Sequence, residues 1–241
     1  MDIRIINGKP VAPDIEAVLR ALGCHRGTPG WEKTAAACRE LVPPLRRLVR
    51  PKAAFTLAEQ DGRPCIFVLL TLGAAVCRRQ TQLSESGDTA AALLLGALAD
   101  QCLFAFEKEL QPVLRAFCQE QQCGIAARHE AGVDVPLAVQ RTAWELLDAK
   151  RTLGLSITPE AMLIPEKTLC LIFAVSSDPS QWHADHDCRQ CPKTGCPQRH
   201  SDVAAEDGQR VICPPGPLLD SLMAQGLAVN ALCGGKGLCG R

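Results

Sequence analysis

The chain has 241 residues and balances 26 lysines and arginines against 26 aspartates and glutamates, a length that allows one large or two small domains around a real core. Zero formal net charge and an aromatic content of 4%, with no tyrosine, leave no field or stacking surface for nucleic acid and no attraction to an anionic membrane. Residues 1–10 hold no long apolar stretch of signal-peptide type, and the apolar run 90–98 is too short to span a bilayer, so a soluble cytoplasmic protein is expected.

Residues 1–6 alternate weakly, as a first strand would, and Asn7-Gly8 signals a turn. Asp14 is placed to cap a short helix whose stripe is Ile15, Val18, Leu19 and Leu22, ended by Gly23. A second helix is expected over 31–49, interrupted at Pro43-Pro44. Its basic end, Arg46, Arg47, Arg50 and Lys52, reads either as a contact for a phosphate-bearing ligand or as a solvated face that complements the helix dipole.

Segments 53–58 and 64–72 read as strands joined by Asp61-Gly62, a hairpin signal. A long helix is expected over 89–118, capped by Ser86 or Asp88 and kinked or divided at Pro112. Then come an arginine-headed loop, 128–135, and an amphipathic helix, 136–153, whose stripe includes Leu137, Val139, Ala143, Leu146 and Leu147. Gly154 closes that helix. A second loop, 158–167, leads into a continuous apolar strand, 168–175. Strands separated by helices, with a hairpin among them, give an α+β class with a partly antiparallel sheet.

One ordered set of residues runs from Arg128 to Thr168: Arg128, Gly132, Asp134, Pro136, Leu137, Gln140, Leu146-Leu147-Asp148, Gly154, Ile157-Thr158, Ala161-Met162, Pro165 and Lys167-Thr168. This pattern resembles the activation domain of cobalamin-dependent methionine synthase, and more closely the short stand-alone proteins related to it. The resemblance implies a curved, largely antiparallel sheet flanked by helices. It also implies binding of S-adenosylmethionine, whose methyl group is offered to the oxidised cobalt of a corrinoid (cobalamin) on a partner. An electron donor is implied as well, since the cobalt must first be reduced. Val133 stands where the family pattern has a tyrosine.

The resemblance assigns ligand binding to Arg128, Gly132, Val133, Asp134 and Phe173. By residue chemistry, Arg128 can grip a carboxylate in two places, or pair with Glu130 or Asp134 in a salt bridge. Asp134 can pair with a sulfonium or ammonium, or close the turn before Pro136. Phe173 is a ligand contact or a core residue, and Lys167 a partner for corrinoid phosphate or an ordinary exposed lysine. No nucleophile–base pair stands out, and methyl transfer asks mainly for positioning.

Of fourteen cysteines, those such as Cys65, Cys77, Cys102 and Cys170 sit singly in apolar contexts and read as small buried hydrophobes. Beyond residue 180 the chain turns polar and histidine-rich. Cys188, Cys191 and Cys196, with His183, His186, His200 or Cys213 nearby, suit tetrahedral zinc or an iron–sulfur cluster. The segment 207–241 resembles the first part of a [2Fe–2S] ferredoxin domain of the β-grasp kind found in corrinoid-activating proteins. The turn is Asp207-Gly208, the strand 209–213, the helix 217–225, and the cluster loop runs from Cys233 to Cys239. In that reading the next ligand falls past Arg241, and two thiolates of a needed four cannot hold the cluster alone.

The expected domains are 1–180, activation-domain-like; 181–203, a Cys/His-rich metal segment; and 204–241, a truncated ferredoxin-like segment. The expected function is an accessory to reductive reactivation of cobalamin-dependent methionine synthase or a related corrinoid protein. The alternative is a non-catalytic metal-binding interaction module.

Overall fold

A computed structural model describes residues 2–24, 26, 29–188, 201–204, 210–213 and 222. The chain divides into two compact units: Met1–Val18 with Glu32–His186, and Leu19–Trp31 with Asp187–Arg241.

The first unit is built on a five-stranded antiparallel sheet. Its strands are β1 (Arg4–Asn7), β2 (Lys52–Gln60), β3 (Arg63–Thr71), β4 (Gly124–Glu130) and β7 (Thr168–Ser176), in the order β1-β2-β3-β7-β4. The β2–β3 hairpin turns at Asp61 and Gly62, with φ of 51° and 73°. Two left-handed residues match the twist of the strands they join, as the Asp-Gly signal anticipates. Centrally, β3 is buried from Cys65 to Thr71, which is why it reads as an unbroken apolar run.

Alternation sends the side chains of β3 to two cores. Cys65, Phe67 and Leu69 join Cys170 and Ile172 in a cluster with Val139, Ala143, Leu147, Ala149 and Leu153. These last belong to α5 (Val139–Leu146), α6 (Ala149–Thr152) and the turns beside them. On the opposite face, Phe55 opposes Val68, and its ring meets Phe117 of α4 (Thr89–Glu120) edge-on, centroids 5.2 Å apart. Each of the fully buried Phe and Leu side chains here contributes roughly 1.5–3 kcal/mol. The α+β class and the antiparallel sheet with flanking helices stand as expected.

Several expectations about the helices are corrected. No break occurs at Pro43-Pro44: α2 runs Trp31–Leu48. Both prolines are exposed, and the carbonyls they free, on Arg39 and Glu40, lie on exposed residues that water can satisfy. Pro112 likewise does not divide α4, where the freed carbonyl is on exposed Lys108. Asp88 does cap α4, accepting from Ala91 N at 3.1 Å. By length and composition α4 would suffice to cross a membrane, but Leu94, Leu95, Leu98, Phe106 and Leu110 are buried in the fold.

Helix α3 (Ala74–Glu85) is an addition that the sequence did not announce. It buries only Val76 and Leu83, too few to make a periodic signal. The short α1 (Ile15–Ala21) has Asp14 as its cap, accepting from Ala17 N at 3.1 Å.

The single helix expected over 136–153 is two. Asp148, at φ 44°, turns left-handed between α5 and α6, so that Leu147 and Ala149 on either side are both fully buried. Thr152 Oγ1 donates to Leu147 O and Asp148 O at 2.9 and 3.0 Å, satisfying the turn. Gly154, at φ 70°, follows the end of α6 as expected. The small ladder β5 (Ser156–Ile157) with β6 (Leu163–Ile164) lies within what reads as turn and loop.

In the second unit, β8 (Ser201–Ala204) and β9 (Arg210–Cys213) pair antiparallel, Ser201 opposite Cys213 and Ala204 opposite Arg210. Val211, Cys213 and Leu222 form a small buried cluster. The turn expected at Asp207-Gly208, the helix expected over 217–225 (apart from Leu222), and Cys191, Cys196, Cys233 and Cys239 lie outside the described residues.

Candidate functional site at the β4 edge

Arg128 is not a loop residue. It sits on β4, an edge strand, directly opposite Phe173 of β7. Opposed residues share a face, and Phe173 lies on the α4 side because Cys170 and Ile172, an odd number of residues away on the same strand, pack with α5. Arg128 therefore points toward α4, where its Nε donates to Glu107 Oε1 at 2.8 Å. Glu130, two residues on and on the same face, stands 3.4 Å from Nη2. Arg128 Nη1 lies 3.2 Å from His186 Nδ1; a guanidinium has only donors, so that nitrogen accepts.

The arginine side chain is only 4% exposed. Burial acts to lower its pKa, but the charge and hydrogen bond of Glu107, and then those of Glu130, outweigh it and push it up. One cation is thus shared by two carboxylates, and the cluster carries excess negative charge. Phe173 is 1% exposed and belongs to the core beneath.

A segment after β7 covers this edge. Ile125 N donates to Gln181 O at 3.0 Å and His183 N to Ile125 O at 2.9 Å, and Trp182 bridges Ile125 in parallel. The cover brings His186 to Arg128. Gln111 of α4 holds Asp185 at 2.9 Å, and Arg115 stacks over Trp182 at 5.2 Å. Gly124 makes the close approach possible: a Cβ there would collide with Asp178 O and stand 2.6 Å from Gln181 O.

Gly132, Val133 and Asp134 form the turn that leaves β4. Gly132, at φ 82°, donates to Val135 O at 2.8 Å, and Val133 N donates to Glu130 O at 3.0 Å. Asp134 Oδ1 accepts from Glu130 N at 2.6 Å, and Oδ2 lies 2.8 Å from His129 Nδ1. Partial burial works to raise the Asp134 pKa, but the Glu130 N–H and the His129 hydrogen bond and charge outweigh it and hold the carboxyl below its ordinary value. Being one residue along, His129 faces α5, the opposite side of the sheet from Arg128. The turn residues and Arg128 are therefore neighbours in sequence whose side chains divide between two faces.

The second loop is tied elsewhere. Arg141 of α5 donates to Thr158 O and Pro159 O at 2.8 and 3.0 Å. Lys167 reaches Asp100 of α4 at 2.6 Å, so its charge is already matched within the fold. The basic end of α2 serves its own helix, with Arg50 Nη1 donating to Arg47 O and Val49 O at 2.7 and 2.8 Å. A hollow of about 320 Å³ lies beside it, lined by residues such as Gly8, Val49, Arg50 and Lys52 and by none from either loop.

Sequence reasoning missed Glu107 and did not join His186 to Arg128. The one available signal for Glu107 was an acidic residue at the margin of the buried stripe of Phe106 and Leu110. Among the described residues, no group of three or more His, Cys, Asp or Glu is arranged to hold a metal ion.

No family model matches the sequence, and no curated protein matches it. Among solved structures, the chain resembles a MetH reactivation domain crystallised with bound AdoHcy. The TM-score is 0.58, with 78% of this chain and 81% of that one covered at 11% sequence identity. At that identity the likeness is one of fold: a five-stranded antiparallel sheet flanked by helices.

Proposed function

We propose that this chain serves the reductive reactivation of a cobalamin-dependent methionine synthase or a related corrinoid protein, by binding S-adenosylmethionine at the β4 edge. The observation that carries this reading is the shared fold with a reactivation domain that binds AdoHcy.

The residues of the β4 edge fit such a ligand in a particular way. S-adenosylmethionine carries a sulfonium, an ammonium and a carboxylate, and when bound it supplies an activated methyl group. All three Arg128 nitrogens are engaged, Nε by Glu107, Nη1 by Glu130 and His186, and Nη2 by Glu130, so a ligand carboxylate must share or displace those partners. The two glutamates around one arginine favour a cation. Glu107 and Glu130 are thus the groups that hold the ammonium or sulfonium, and Arg128 fixes both carboxylates in place. Gly132, Val133 and Asp134 shape the turn at the end of the same strand. The corrinoid belongs to the partner and the electrons to a separate donor. Cys188, Cys191 and Cys196, with Cys233 and Cys239, are the thiols that would hold zinc or an iron–sulfur cluster on the electron side.

Titration calorimetry and thermal shift with S-adenosylmethionine and S-adenosylhomocysteine test the reading. At a hundredfold excess over Kd, binding adds about 2.7 kcal/mol to stability, and Glu130→Gln weakens both ligands. Absence of heat and of any shift at millimolar ligand removes the methyl-donor role. Visible absorption of the purified chain separately distinguishes an iron–sulfur cluster from colourless zinc.

A further inference from the structure

The end of α4 brings two thiols together. Gln122 is left-handed, at φ 54°. Around it, Cys123 N donates to Cys118 O at 2.9 Å and Gln122 N to Gln119 O at 3.1 Å. These two bonds define a Schellman cap, which places the residue just past the left-handed position against the one that opens the last turn. That contact is ordinarily apolar. Here it is made by Cys118 and Cys123. They are 2% and 8% exposed. The backbone bond between the same two residues keeps their α-carbons within roughly the 4.4–6.8 Å that a disulfide spans.

We propose that Cys118 and Cys123 are a redox modification site, closing to an intramolecular disulfide that staples the last turn of α4 to the head of β4. Two S–H bonds break and one S–S bond forms. The two electrons and two protons pass to a low-molecular-weight disulfide, which leaves as two thiols. Burial, and then the neighbouring thiol, push Cys118 up to about 12, which holds that thiol protonated while the last turn stays closed. Closure fixes the junction between α4, which carries Glu107, and β4, which carries Arg128 and Glu130. This inference does not rest on the proposed function and stands or falls separately.

The sequence offers a clean readout. Cleavage after Arg115 and Arg128 releases residues 116–128, whose cysteines are Cys118 and Cys123 alone. The full chain, folded and without denaturant, is incubated with diamide, whose N=N bond takes up the same two electrons and two protons. Remaining thiols are then alkylated and the digest weighed. The expected peptide is two hydrogen masses lighter and unalkylated, returns to the dithiol with dithiothreitol, and accompanies a higher melting midpoint that Cys118→Ala abolishes. Recovery of the peptide with both thiols alkylated, or joined to a peptide from elsewhere in the chain, overturns the proposal.

Discussion

Arg128 Nε donates to Glu107 Oε1 at 2.8 Å, joining an edge strand to the long helix that covers it, with the two side chains 4% and 13% exposed. A charge so far out of water must be matched. Glu130 gives it a second partner, which leaves a net negative cluster beneath the segment 181–186.

Glu107→Gln removes one of the two carboxylates around a buried guanidinium. Breaking a fully buried pair costs roughly 3–5 kcal/mol; with Glu130 retained, we expect about 2 kcal/mol, read as a lower urea midpoint at unchanged slope. Ligand binding falls in the same variant if the cluster holds a cation.

Asp134 makes stability depend on acid. Its folded pKa is depressed below the ordinary 3.8, so its contribution is fully present above about pH 4 and is lost as pH falls through the folded value. His129→Ala removes two of the depressing interactions. We expect the Asp134 carboxyl, followed by carbon-detected NMR, to titrate at higher pH in that variant, with part of the acid-linked stability gone.

Gly124→Ala puts a methyl group against backbone carbonyls of Asp178 and Gln181, which cannot swing aside as a side chain can. Overpacking of this kind costs about 1–3 kcal/mol. Hydrogen exchange should show the Ile125 and His183 amides losing protection together, because their bonds to Gln181 O and Ile125 O hold the cover in place.

Asp148 occupies the left-handed region at a cost that aspartate tolerates and branched residues do not. Its bond to Arg151 is exposed on both sides and worth under about 1 kcal/mol. We expect Asp148→Gly to shift stability by less than about 1 kcal/mol, and Asp148→Val to lower it by about 1–3 kcal/mol, measured by thermal unfolding.

Legibility in the sequence followed the range of the forces. The Asp61-Gly62 hairpin, the Asp88 cap and the buried strand around Ile172 depend on neighbours a few residues away, and each was readable. Helix α3 was not, since a helix that buries two side chains has almost no stripe. Prolines 43, 44 and 112 mislead for a related reason: what a proline costs depends on whether the freed carbonyl meets water, and burial of that carbonyl is not written locally. The break at Asp148 serves Leu147 and Ala149 together, a demand set by the core they enter.

The sequence by itself determined that Arg128, Gly132 and Asp134 lie close along one stretch of chain ahead of an apolar strand. Only the tertiary structure decided which way they look. Strand period two sends Arg128 to the α4 face and His129 to the other, and pairing with β7 then sets Arg128 against a glutamate 21 residues earlier. A partner at that distance is fixed by sheet order and helix packing, and no local pattern of residue types encodes it.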